Sequence, residues 1–209
     1  MKKVLVLTAV LAFVAMAGIQ VHAQGNAQPV IGMVDVQRAF DEYKNTKSSN
    51  DEINRLAASF MRELEVRQKH RHLSEADMAE LVRLATLTSP STDDRNKLQQ
   101  LENKSKQLDE EFNSLVQKAD LTEAERQRQV ELRNNRNRNE QNFKNLQEDY
   151  LDQLEKRKNE LSSKITEDIR QAIEKVAQQQ GLATVVDKIA ILYGGKDVTD
   201  EVIKVLNGG

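Results

Sequence analysis

Apolar residues recur along most of this chain at intervals of three and four, and only near its ends do they gather into short unbroken runs. The first such run after the N-terminal region, Val30-Ile31-Gly32-Met33-Val34, reads as a buried strand. Asp35 follows, with a carboxylate suited to N-capping the next helix. From Val36 to Ser89 the chain is polar and charged, without Pro or Gly, and Ile53, Leu56, Phe60 and Leu64 share one helical face. The pattern is punctuated at Leu73-Ser74, where Ser74 and Asp77 form a capping-box-like restart, and Met78, Leu81 and Ala85 continue the apolar face. A stronger break spans Thr88 to Thr92, because Pro90 lacks an N–H and disfavours helix at Ser89. Ser91 or Thr92 starts the next helix, whose Leu98, Leu101, Ser105, Leu108, Phe112 and Leu115 make the cleanest heptad in the chain. Thr122 and Glu125 mark another capping box, after a break at 120–122.

From Glu123 the pattern predicts helix to Gln180, with Gly181 as terminator. Phe143, Leu146, Tyr150, Leu154, Leu161, Ile165, Ile169, Ile173 and Val176 carry its stripe. Unbroken, it extends on the order of 85 Å, too long to be buried, so it must pair with another helix and project. Beyond Gly181 the composition changes. Ala183 to Asp187 and Ile189 to Tyr193 are β-branched and apolar and predict two strands, with a turn at Gly194-Gly195-Lys196-Asp197. Thr199 is placed to N-cap a last helix with an apolar side of Val202, Ile203, Val205 and Leu206.

Strands thus sit at both ends of a charged helical middle. They can meet only if the middle runs out and returns as a hairpin, with its tip near Pro90, near Asp120, or between them in a more complex fold. The fold class is α+β, mostly α: a helical hairpin arm projecting from a small β body. A sheet this small is marginal alone and exposes its edges, so association between copies of the chain is expected to complete it.

The N-terminal region adds a location. Lys2 and Lys3 precede an uncharged apolar stretch from Val4 to Ala17, and Val21-His22-Ala23 offers small residues for cleavage after Ala23. This is the pattern of a secretory signal peptide over 1–23, followed by a mobile leader over 24–29. It predicts an exported, periplasmic protein. The chain has no cysteine, so disulfides, thiol catalysis and sulfur-ligated zinc are excluded. Lys plus Arg number 31 against 33 Asp plus Glu, and both Lys2 and Lys3 leave with the signal. A mildly acidic mature chain argues against nucleic-acid binding. Aromatic residues make up only 4% of the chain against 31% charged, which fits long helices better than one thick core.

Little in the sequence offers chemistry. His70 and His72 are two residues apart, a spacing that does not place them on one helix face, and they read as solvated rather than metal-binding. Acidic pairs such as Glu110-Glu111 and Glu148-Asp149 lie on helices without an apolar pocket to perturb them. Gly194-Gly195 lacks the spacing of a phosphate loop. No enzyme site and no cofactor are expected. The locally basic run Arg126, Arg128, Arg133, Arg136 and Arg138 has two readings. It could meet anionic lipid or acidic client segments. The preferred reading is a solvated face pairing with acids on the opposite arm.

Val30 to Asp35 after a signal, then long charged helices, then Ile189 to Tyr193 and Asp197-Val198-Thr199-Asp200-Glu201 through Leu206-Asn207, resemble the Skp/OmpH family of periplasmic chaperones. The layout agrees over the whole mature chain, and specific residues agree at its two ends. The resemblance implies a homotrimer with three hairpin arms around a cavity. It implies a function too: holding unfolded outer-membrane proteins without ATP. On it, 30–35 and 182–209 form the oligomerising body, with Ile31, Met33, Val34, Val185, Val186, Ile189, Ile191, Tyr193, Val202 and Leu206. The arm is 36–181, packed through Leu98, Leu101, Leu108, Phe112, Leu115, Phe143, Leu146, Tyr150 and Leu154. The mildly acidic charge weakens any extension to weak anionic-lipid contact. The rival reading is a structural coiled-coil envelope or scaffold protein without chaperone activity.

Overall fold

The computed structural model describes residues 30–209; the signal and leader proposed for 1–29 lie outside the described residues. Strand β1 (Ile31–Val34) leads into helices α1 (Val36–Glu42) and α2 (Lys44–Lys69). Helices α3 (Glu75–Ala85), α4 (Thr92–Gln117) and α5 (Glu123–Gln180) follow, then β2 (Thr184–Asp187), a 3-10 turn at Lys188–Ala190, β3 (Lys196–Asp197) and α6 (Thr199–Leu206). The architecture is α+β and mostly α, as expected.

The helix starts are set by short side chains that take up orphan N–H groups. Asp35, Ser74, Ser91 and Thr122 each accept from the backbone N–H three residues on, and Ser91–Asp94 and Thr122–Glu125 are complete capping boxes. Gly181 ends α5 at φ 65°, a left-handed conformation that a side chain would strain. The run from Val36 is interrupted where no Pro or Gly signals it: Tyr43 is extended, at φ -73° and ψ 124°. Its ring is buried against Ile165 and Ile169, and its hydroxyl donates to Asp168 Oδ2 at 2.9 Å, so tertiary packing sets this break. The last helix corrects an expectation. Val198, not Thr199, occupies its N-cap, and Thr199 is turned instead to accept from the Asp35 N–H at 2.9 Å and to donate to Asp197 Oδ1 at 2.6 Å.

The sheet is parallel throughout, in the order β2-β1-β3, with Ile31 beside Thr184 and Met33 beside both Val186 and Asp197. Chain ends far apart in sequence therefore meet in one sheet. Gly32 is required by close approach, since a Cβ there would lie 2.6 Å from Leu182 Cδ1. Beneath the sheet, Val34, Ala39, Ala172, Val176, Val198 and Val202 form a sealed core, and Leu182, Val185 and Leu206 pack onto it.

The proximal arm is an antiparallel pair. Tyr43 meets Asp168, Glu52 meets Arg157 at 2.7 Å and Glu63 meets Tyr150 at 2.5 Å, partner numbers falling as α2 advances. The distal arm is thicker than a hairpin. After α2 the chain folds back as α3, which runs antiparallel to α4 through Asp77–Lys104 (2.7 Å), Glu80–Lys97 (2.8 Å) and Arg83–Asp94 (3.7 Å). Helix α4 then turns into α5, with Arg128 bidentate on Glu111 at 2.9 Å. Leu73, Met78, Leu81 and Leu84 join Leu101, Leu108, Leu115 and Leu132 in one distal core. The heptad of α4 therefore packs on α3 as well as α5.

Two strand readings are corrected. The segment Ile189 to Tyr193 is no strand: it begins in the 3-10 turn and continues as irregular chain. Lys196–Asp197, taken from the sequence as part of a turn, supplies the third strand. Within the chain, β1 is already paired on both sides, and the stretch joining β2 to β3 crosses over without joining the open edge of either.

Candidate functional site

Two surfaces stand out, one on the body and one along the arm. On the body, the crossover segment is held at its base. Asp187 accepts from the Ile189 N–H at 3.3 Å, and Lys188 Nζ lies 2.9 Å from Asp197 Oδ2. The Lys188 ammonium, then the Thr199 hydroxyl and N–H, hold the Asp197 carboxyl far below the usual carboxylate range. Above this anchored base the apolar residues point away from the protein: Ile189, Leu192 and Tyr193 are 90%, 102% and 99% exposed. Val30 and Ile31, both 48% exposed, are the other large apolar residues left open on the body. An isolated exposed leucine is ordinary, but three such residues in five positions beside two unpaired sheet edges are not.

The body residues named from sequence divide into two groups. Val34 and Val202 lie inside the chain's own core, with Val185 and Leu206 half-buried against it. Ile31, Ile189 and Tyr193 face outward, while Met33, Val186 and Ile191 are half-buried. Of the arm residues, Leu101, Leu108 and Leu115 are buried in the distal core and Leu98 and Phe112 pack against it. Tyr150 is buried, and Phe143, Leu146 and Leu154 are half-buried along α5. Among the arginines, Arg128 pairs across to Glu111 of α4 and Arg136 pairs with Glu140 of its own helix at 2.9 Å.

The elbow between α2 and α3 falls at the break expected near Leu73-Ser74, but the surroundings of its histidines differ from expectation. His70 and His72 are not solvated helix residues; they are only 6% and 8% exposed. The helix stops at Lys69, so His70 caps it and His72 lies in the link, where α3 and α4 cover both. His72 Nδ1 sits 2.5 Å from Asp109 Oδ1 and its ring lies 4.6 Å from that of Phe112. Burial pushes the His70 pKa down, and Lys69 lowers it further, against Glu102 and Asp109. Asn139, buried on α5, donates through Nδ2 to the carbonyls of Arg71 (2.8 Å) and Leu73 (2.9 Å). The one sequence signal for this arrangement is the Ser74 cap, which starts α3 just after His72.

Among the described residues, no group of three or more His, Asp or Glu side chains is placed to hold a metal ion. No described helix is long and apolar enough to cross a membrane. The grooves beside α5 are lined by charged groups, Asn and Gln together with apolar residues such as Met78, Leu146, Phe143, Leu161 and Ile165.

These features define a class of protein: a helical arm mounted on a small parallel sheet. The outer membrane protein (OmpH-like) family model matches residues 83–206, more than half of the 209-residue chain, and the chain belongs to that family. No curated protein matches it. The match runs from within α3 through α4, α5, β2 and β3 to the end of α6. The family is one of periplasmic outer-membrane-protein chaperones rather than of enzymes.

Proposed function

We propose that this chain is an exported, ATP-independent holdase that keeps unfolded outer-membrane β-barrel proteins from aggregating in the periplasm, working as a homotrimer with its arms around the client. Ile189, Leu192 and Tyr193 carry the reading: they are anchored at their base and fully exposed. A single copy leaves this apolar surface in water, and further copies meeting through it and the sheet edges would cover it. That assembly fixes the bodies together and leaves the arms projecting side by side. The residues proposed as oligomerising are Ile31, Met33, Val186, Ile189, Ile191 and Tyr193, with Val34, Val185, Val202 and Leu206 supporting them from within. The absence of a deep pocket among the described residues suits the task. Release without fuel requires many weak contacts rather than one tight site.

The segment 1–23 acts as the export signal in this reading, with cleavage after Ala23. Weak anionic-lipid contact would fall to Arg126, Arg133 and Arg138, because Arg128 and Arg136 are engaged with Glu111, Glu131 and Glu140. The test uses the processed chain. Its mass in solution by light scattering is expected to be three times that of the monomer, and it is expected to suppress light scattering by a urea-denatured β-barrel protein on dilution. A monodisperse monomer without suppression rejects the proposal. A stable oligomer without suppression selects a structural scaffold role instead.

A further inference from the structure

The two flanks of the proximal arm differ. On one, charged and polar groups bridge the seam between α2 and α5. Arg157 bridges Glu52 and Glu160 at 2.7 and 3.0 Å, and Glu63 takes both the Tyr150 hydroxyl and Arg67. The other flank carries Met61 and Leu151, which are 70% and 62% exposed. The antiparallel pairing sets these two at the same level, since the neighbouring position Glu63 meets Tyr150.

The same flank continues into a groove below the elbow. Its volume is about 250 Å³, and Gln68, Arg71, Glu140, Phe143, Lys144 and Gln147 line it. Gln68 lies two helical turns beyond Met61, and Gln147 and Lys144 lie about one and two turns before Leu151, so groove and exposed pair share one stripe. Charge in the groove is unevenly satisfied. Arg71 shares Glu140 with Arg136 at 3.7 and 2.9 Å, and Arg67 is held by Glu63 at 2.7 Å. Lys144 has no ion pair among the described residues. Arg136, Arg71 and Lys144 all act on the one carboxylate of Glu140, and this excess of cation beside Phe143 matches a segment that brings an apolar side chain and a carboxylate together.

We infer that this flank is the wall on which the client docks: an unfolded, extended segment seats an apolar side chain in the Phe143 groove, pairs a carboxylate with Lys144 and runs on over Met61 and Leu151. The inference rests on the holdase reading and adds to it which face of the arm is used. An open groove and two exposed side chains give shallow contact, as rapid release needs.

The test places a photo-crosslinking residue at Met61, Leu151, Glu52 or Glu160 of the full processed chain, with a urea-denatured β-barrel protein as probe. Client adducts are expected from Met61 and Leu151 well in excess of those from Glu52 and Glu160. The Met61→Asp/Leu151→Asp variant is expected to bind the client about tenfold more weakly at unchanged oligomer mass and helix content, as loss of two partly covered apolar contacts implies. Lys144→Glu is expected to weaken binding as well. Suppression of aggregation with adducts confined to Glu52 and Glu160 overturns the inference and leaves the holdase reading standing. Adducts joining two copies in the absence of client overturn it too, because the flank is then an arm–arm contact. Failure of the unmodified chain to bind client removes both.

Discussion

Tyr150 of α5 lies flat on Phe60 of α2, with ring centroids 3.8 Å apart and planes within 3°. This stack is locked from one side, since the Tyr150 hydroxyl donates to Glu63 Oε2 at 2.5 Å. Burial, then the Glu63 carboxylate, pushes the tyrosine pKa up, so the phenol stays protonated and remains a donor at any physiological pH. Tyr150→Phe keeps the ring and removes the bond, and is expected to cost about 1–2 kcal/mol. Tyr150→Ala removes both and is expected to cost about 3–5 kcal/mol, as loss of a packed aromatic does. Urea denaturation followed by circular dichroism measures both. An unchanged stability in Tyr150→Phe would show that the hydroxyl contributes nothing beyond its ring.

Asn139 fixes the elbow by a different means. One side-chain amide satisfies the carbonyls of Arg71 and Leu73, both at the point where α2 gives way to α3. Asn139→Ala leaves these two acceptors without that partner and is expected to cost about 1–3 kcal/mol. Asn139→Asp is expected to be worse, because it sets a carboxylate against two carbonyl oxygens. Amide hydrogen exchange gives the decisive reading. Protection should fall first in α3, while the body segments around Val34 and Val202 keep theirs. A uniform loss across both regions would mean that the elbow is no separate unit.

Local chemistry made much of this fold readable. Asp35, Ser74, Ser91, Thr122 and Gly181 were all found from sequence because a cap needs only its own side chain and the next turn of backbone. The misses share a distant cause. Ile189 to Tyr193 has the composition of a strand, but it serves as the crossover between β2 and β3, which flank β1 about 160 residues away in the chain. His70 and His72 look solvated until α3 folds back onto α4 and covers them, a packing decision encoded by Met78, Leu81 and Leu84 rather than near the histidines. The Tyr43 break likewise follows from Ile165 and Ile169.

The buried His70 makes stability depend on pH. Its folded-state pKa is depressed below 6.5, first by burial and then by Lys69. The unfolded chain therefore binds more protons than the folded one between the depressed value and 6.5, and stability rises with pH across that window. Above it the effect is absent; as pH falls through 6.5 the cost of keeping His70 neutral grows. His70→Gln removes the titration. Urea midpoints measured from pH 5 to 8 are expected to fall toward the acid end more steeply for the unmodified chain than for the variant. Parallel curves would remove His70 from the account.

Ile189 and Tyr193 separate folding of one copy from assembly of several. Both side chains stand in solvent, so replacing them with Asp removes almost no packing from the single chain. Thermal unfolding of the monomer is expected to move by no more than about 0.5 kcal/mol, the range of ordinary surface changes. Assembly should respond in the opposite way. A carboxylate at either position must be desolvated when copies close over the segment, and without a partner cation that costs several kcal/mol. The double variant Ile189→Asp/Tyr193→Asp is therefore expected to run as a folded monomer at micromolar concentration, with native helix content, and to lose aggregation suppression because separate arms enclose nothing. Val202→Asp provides the contrast. Its site is fully buried in the chain's own core beside Val34 and Val176, so it is expected to unfold the body itself. An Ile189→Asp/Tyr193→Asp chain that keeps its oligomeric mass would show that the copies meet elsewhere.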